Sequence, residues 1–305
     1  IWTKSRSTSV KQHILVDAIR GGNKNLMSDS TEAENSAANR KLTLGAADGY
    51  VIDSNSGHLN ESDKTYVSWN WDMGGSNASN SNGSITSTVR ANPTYGQSIV
   101  SYTGTGSSAS VGHGLSSKPD VVLTKRRGAT SHWLINDWSG DYANKLKLND
   151  TEVASSSDNF VNAASSTTFS LASDTDVNAN NGTYIAYCFH SVSGYSKFSS
   201  YTGNGSATNA ITTGFRPAFV LIKRTDAARS WYIFDSTREP TNPITDGLSP
   251  DTSAAEEVTG GGGGVNFTDT GFTIKDDGLA TNASSGTYIY MAFADKREYA
   301  YWLDL

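Results

Sequence analysis

The run TYIAYCF at Thr183–Phe189 has close counterparts elsewhere in the chain, TYVSWNW at Thr65–Trp71 and TYIYMAF at Thr287–Phe293. Asn181-Gly182 and Ser285-Gly286 stand directly before two of them, turn dipeptides that feed a strand. Working outward, each run is preceded by a short apolar stretch closed by a lysine: IWTK ending at Lys4, VVLTK at Lys125 and VLIK at Lys223. The distances from lysine to the threonine of the later run are 61, 58 and 64 residues (4 to 65, 125 to 183, 223 to 287). Between the two lie HILVD, WLIND and WYIFD, closed by Asp17, Asp137 and Asp235. Order, spacing and chemistry agree, so the chain reads as three copies of one module.

A further pair marks where a copy starts. YTGTGS (Tyr102–Ser107) and YTGNGS (Tyr201–Ser206) lie 23 and 22 residues before Lys125 and Lys223, and the first copy would need this segment before residue 1. The first module therefore reads as lacking its N-terminal strand, and the opening IWTKSR as a strand entered partway along, in a segment of a longer polypeptide. The glycines recur at module entries and are read as tight turns rather than a phosphate cradle. The boundaries that follow are 1–73 for module 1, 74–97 for a Gly/Ser/Asn-rich linker with one strand near Ile85–Val89, 98–192 for module 2 and 193–305 for module 3. A copy of this size is that of a β-sandwich domain. Gly260–Gly264 reads as a loop-tip insertion in the third copy.

Bulk composition points the same way. Hydrophobic residues make up 36% and charged residues 18% of the 305-residue chain, too few charges to dress helical surfaces, while aromatics at 10% exclude a disordered polymer. The expectation is all-β. A formal net charge of −6 gives no general attraction to phosphate backbones or anionic lipid, so neither nucleic acid nor a membrane is an expected partner. No apolar stretch is long enough to span a bilayer. The single cysteine, Cys188, lies inside an apolar run with no basic activator and reads as a buried thiol.

Catalytic and metal motifs are absent. The five histidines lack zinc spacing, and no nucleophile elbow, Walker loop or dinucleotide fingerprint occurs in a strand-then-helix setting. In DTDVNANNG (Asp174–Gly182), Asp174, Asp176 and Asn178 fit the first ligand positions of an EF-hand loop, but Ala179 replaces its glycine and Ile185 its last ligand. Two readings remain: an Asx-rich turn, or a different calcium site. No cofactor is otherwise expected. The recurring lysines and aspartates read as groups that pair or cap within each module.

The candidate binding residues are aromatic. Trp133 and Trp231 hold the same module position, occupied by His13 in the first copy, and Trp138 and Tyr142 follow in the second. Exposed rings beside Asn and Asp would stack on sugar C–H groups. The alternative is core: in WYIFD, Trp231, Ile233 and Asp235 share one face, Tyr232 and Phe234 the other, and both faces are apolar.

The blocks GFRPAFVLIKR (Gly214–Arg224), GYSKF (Gly194–Phe198) and the T-Y-[VI] strands resemble a tandem-repeat domain of structural proteins of tailed, especially marine, bacteriophages. The resemblance spans nearly the whole chain. It implies lectin-like, concanavalin-like jelly-roll β-sandwich modules on the virion exterior, in a tail fibre or other fibre protein. It also implies other virion subunits as partners, a homo-oligomer of the trimeric kind usual for fibres, and a host-surface glycan as ligand. It carries over no catalytic residue. The expectation is a non-enzymatic protein that contributes to host attachment through exposed loops. The alternatives are an architectural spacer, shaft or capsid-decorating component, and a polysaccharide depolymerase with carboxylates such as Asp137 and Glu152 facing each other over a groove.

Overall fold

The computed structural model describes residues 1–46, 49–52, 57–139, 142–156, 160–258, 264–275 and 278–295. Apart from a 3₁₀ turn at Ala38–Arg40 and a single helical turn at Thr175–Asn178, its regular structure is antiparallel β-sheet. Most of the glycine run read as a loop-tip insertion lies outside the described residues.

Three main sheets are built on one plan. Trp2–Ser5 pairs with Ile14–Leu15 and with Tyr66–Trp69; Val121–Arg126 with Trp133–Asn136 and with Thr183–Phe189; Phe219–Arg224 with Tyr232–Asp235 and with Thr287–Phe293. The register is the same each time: Lys4 stands opposite Val67, Lys125 opposite Ile185 and Lys223 opposite Ile289. These groups are called the first, second and third strand sets below. In the second and third sets, the YTG segments form Gln97–Thr103 and Ser196–Thr202, which pair with the far edge of Thr183–Phe189 and Thr287–Phe293. In the first set, among the described residues, Tyr66–Trp69 pairs only with Trp2–Ser5.

Side-chain alternation divides each central strand between two cores. Tyr184, Ala186 and Cys188 face a small sheet of Ala109–Gly112, Thr168–Leu171 and Val161–Ala164, packing on Phe160, Phe169 and Leu171. Tyr288, Tyr290 and Ala292 likewise face Asn209–Thr212, Gly271–Ile274 and Val265–Thr268. These are β-sandwich-like layers. Cys188 is fully buried, and burial pushes its thiol pKa up, as expected of a structural cysteine.

The opposite faces do not look outward. Val67 and Trp69, Ile185, Tyr187 and Phe189, and Ile289, Met291 and Phe293 meet in one apolar cluster that draws on all three sets. Trp71 joins it edge-on to Phe219 and Phe293, and Phe189 lies 5.9 Å from Phe293. The sequence reading pictured consecutive modules; the three sets instead share a core.

Residues 74–97, read as a linker, are also part of the fold. Ala78–Asn80 and Ser87–Asn92 extend the second set's sheet to eight strands, the latter pairing with Gln97–Thr103. The stretch is polar because these strands lie at the sheet edge, where Ile85, Ser87 and Val89 turn inward and are buried while the residues alternating with them are exposed. Low apolar content there marked an edge, not a tether.

Candidate functional site

The four aromatics proposed as a sugar face are not one. Trp133 and Trp231 are fully buried, and Tyr142 is buried with its hydroxyl donating to the carbonyl of Pro119. Trp138 is half-buried against the shared core and donates its N–H to the carbonyls of Ser199 and Tyr290, both at 3.1 Å. Trp133, Trp138 and Trp231 face the shared core, and Tyr142 packs within the second set's own sandwich core. The core alternative for Trp133 and Trp231 is the one the structure has.

What the recurring residues do is join one set to the next. Trp133 Nε1 donates to Met27 O of the first set at 2.7 Å, and Trp231 Nε1 to Lys147 O of the second at 3.0 Å. His13, at the same position in the first set, meets Ser249 O of the third at 3.1 Å. The lysines follow suit. Lys125 Nζ donates to Ser131 O (2.7 Å) and across to Thr31 O (3.0 Å); Lys223 Nζ to Arg229 O (2.6 Å) and across to Thr151 O (3.1 Å). Lys4 Nζ donates to Ser5 O (3.0 Å) and across to Ser253 O (3.3 Å). The sets thus close a ring, second on first, third on second, first on third. The lysines were expected to pair or cap within each module; each does cap a carbonyl of its own set and in addition binds one across the contact. Burial lowers each to about 8, well under an ordinary lysine.

Charge builds two of the three contacts. Arg20 is buried between Asp17 and Glu34, and Glu34 also takes Arg127 of the second set at 2.9 and 3.0 Å. Tyr187 donates its hydroxyl to Asp17 at 2.8 Å. Burial pushes the Asp17 carboxyl up, but the Arg20 guanidinium and the surrounding donors outweigh it and hold the pKa below its ordinary value. The third set repeats this with Asp235, Arg238 and Glu256, joined by Arg6 at 2.9 Å and by Trp69 Nε1 to Asp235 at 3.1 Å. The spacing D-x-x-R, at Asp17/Arg20 and Asp235/Arg238, was the available sequence signal, and the reading missed it.

The second-to-third contact keeps the backbone bond and drops the charges together. Ala154 N donates to Thr225 O at 2.9 Å, as Glu34 N does to Arg127 O and Glu256 N to Arg6 O, both at 2.8 Å. Ala154 therefore stands in place of the glutamates and Thr225 in place of the partner arginines. Asp137 binds Ser139 instead, through its N–H (2.9 Å) and hydroxyl (2.6 Å), and Met291 stands where Tyr187 and Trp69 donate. The indole of Trp138 covers this contact. Asp137 is buried, and Glu152 is salt-bridged to Lys147 at 2.7 Å, so this pair does not form a glycosidase couple over a groove.

His13 carries a pH prediction. Trp2 Nε1 donates to His13 Nδ1 at 2.9 Å, so the ring is neutral with its proton on Nε2, directed at Ser249 O. Burial, then the nearby Lys4 charge, holds its pKa well below the ordinary value. The unfolded chain therefore takes up a proton near pH 6.5 that the folded chain refuses, and stability falls as pH drops below that point. Relative to a His13→Gln variant, the natural chain is expected to lose about 1.4 kcal/mol per pH unit below ~6.5. Urea unfolding of both proteins from pH 7.5 to 5 checks this; a constant difference contradicts it.

The YTG turns and the loop tested for calcium prove to be one device. Asn178 accepts from Thr105 N at 2.8 Å through Oδ1 and donates through Nδ2 to Ser107 O (2.6 Å) and Ala172 O (3.0 Å). Asn282 does the same for Asn204 N (3.0 Å) and Ser206 O (2.7 Å). Asp174 caps the helical turn, accepting from Asp176 N at 2.7 Å. Among the described residues no three His, Cys, Asp or Glu side chains gather as a metal group. A Cβ on Gly104 would meet Ala179 O at 2.5 Å, and one on Gly203 would meet Ala283 O at 2.1 Å. Gly104→Ala and Gly203→Ala are each expected to cost about 2 kcal/mol or more, against less than ~0.5 for Gly75→Ala, where nothing lies within 4 Å. Thermal unfolding of the three variants is the check.

A cavity of about 810 Å³ enters between the first and second sets and reaches the shared core. Leu15 and Ala18 of the first set, Ile99 and Tyr187 of the second, and Phe219 and Met291 of the third contribute to its wall. Its outer end is polar and exposed, at Asn23, Thr43 and Gly45.

Layered antiparallel sheets define an all-β, β-sandwich-like protein. Comparison with family models matches residues 1–297 to a domain of unknown function, DUF7483, and the chain belongs to that family. No curated protein and no solved structure matches it.

Proposed function

We propose that the chain is a non-enzymatic structural building block of a bacteriophage virion exterior, a tail-fibre or other fibre component, in which three copies of one jelly-roll sandwich module are fused into a single-chain counterpart of a trimer. The carrying observation is the closed ring of contacts: the equivalent Trp133, Trp231 and His13 each bind a carbonyl of the preceding set, and the equivalent Lys4, Lys125 and Lys223 each do so again. Load-resisting architecture calls for this kind of joint. Of the four rings proposed for glycan contact, Trp133, Tyr142 and Trp231 are buried and Trp138 is half-buried with its N–H bonded, which favours the architectural role over adhesion.

The role has two tests. The isolated chain should give no binding on a glycan array, with or without calcium, and antibody to it should decorate intact particles that carry it. Saturable binding to one glycan class would restore attachment as the function. Antibody that reaches its target only in disrupted particles would remove the exterior assignment.

A further inference from the structure

The cavity between the first and second sets has a counterpart that is filled. At the second-to-third contact the residue after Asp137 is Trp138, whose indole packs on the shared core and reaches the strands Ser196–Thr202 and Thr287–Phe293 through Ser199 and Tyr290. At the first-to-second contact the residue after Asp17 is Ala18. Ala18 lines the cavity together with Ile99 and Tyr187, which lie on Gln97–Thr103 and Thr183–Phe189, the strands that correspond in register to those two. An alanine thus leaves open the space that an indole occupies one contact further round.

The chemistry of the opening is graded. Of its charged wall groups, the buried Asp17 is held by Arg20, Asp72 accepts from Gly74 N at 2.9 Å and Arg90 donates to Gly74 O at 2.7 Å, while Lys41 lines the cavity beside Thr43. The inner wall is apolar at Val121, Leu123 and Leu221, and the Trp2 N–H and Tyr187 hydroxyl that also line the cavity are taken up by His13 and Asp17. A dry void of this size would cost more than a typical domain's whole stability. Water against such walls is poorly bonded and is displaced favourably by an apolar group. The volume lies within the range of small-molecule sites, ~300–1,000 Å³.

We propose that this cavity binds the alkyl chain of an amphiphile, a free fatty acid or the acyl chain of a lipid, with the polar head left in water beside Asn23, Thr43 and Gly45. Ala18 is the residue that makes room for it.

The test is a fluorescence titration of the full chain with 1-N-phenylnaphthylamine, followed by displacement with palmitate, butyrate or phosphatidylcholine vesicles. One probe per chain is expected, displaced by palmitate and not by butyrate. Displacement by vesicles as well identifies a membrane lipid as the source, and displacement by palmitate alone a free fatty acid. Ala18→Trp should weaken the probe at least tenfold with the urea midpoint unchanged or higher. If that variant does not fold, judged by loss of its near-ultraviolet circular dichroism, Ala18→Leu carries the test with a weakening of severalfold. Trp138→Ala should open the corresponding space and raise the stoichiometry to two. Absence of probe binding to the natural chain, or undiminished binding to a folded Ala18 variant, overturns the site. A single unchanged site in Trp138→Ala overturns its equivalence to the space under Trp138.

Discussion

Trp231→Ala is expected to lower the unfolding free energy by about 3–5 kcal/mol, the range for removing a fully buried tryptophan, and Trp133→Ala by a similar amount. Two losses add: the cavity left by the ring, and the stranding of Lys147 O, the acceptor of the indole N–H at 3.0 Å. A ring serving as an exposed sugar platform would cost little when removed, within roughly 0.5 kcal/mol. Urea unfolding followed by circular dichroism separates the two outcomes. Because the ring spans the second and third sets, the variant should still unfold in one transition, with a lower midpoint. A second transition would mean that the sets fold separately.

The second large effect concerns the buried charges. Arg20→Met leaves Asp17 and Glu34 facing each other in the interior without their guanidinium, and about 3–5 kcal/mol of stability should be lost. Arg127 remains on Glu34, but it is partly exposed and does not reach the Asp17 side. The second-to-third contact offers the control, since there glutamate and partner arginine are replaced together by Ala154 and Thr225. Arg20→Met combined with Glu34→Ala and Arg127→Thr should therefore be less destabilised than Arg20→Met alone. Such non-additivity is expected of groups in one network. If the triple variant loses the sum of the single effects, the charges act independently and the network reading fails.

Much of the strand layout was legible in the residues. Lys4, Lys125 and Lys223 marked three strands in one register, the Thr-Tyr runs marked their partners, and the Asn-Gly and Ser-Gly dipeptides marked the turns that lead into two of those runs. These are local signals, set by alternation and by which residues accept a tight turn. The all-β class followed from them. The apolar character of both faces of WYIFD was legible too, and it left Trp231 open to either reading.

Only the tertiary structure decided what covers the second face. A strand's own sequence states that a face avoids water; it does not name the surface that excludes it, because apolar contact carries no address. Whether Trp133 and Trp231 met a sugar or Lys147 and Met27 therefore lay beyond the sequence. So did the partners of Lys125 and Lys223, carbonyls of the neighbouring set whose positions depend on how the sheets are placed. The cavity beside Ala18 is the same lesson in the negative. An alanine is silent in a sequence, and its meaning here comes from Trp138, which fills the matching space at the next contact of the ring.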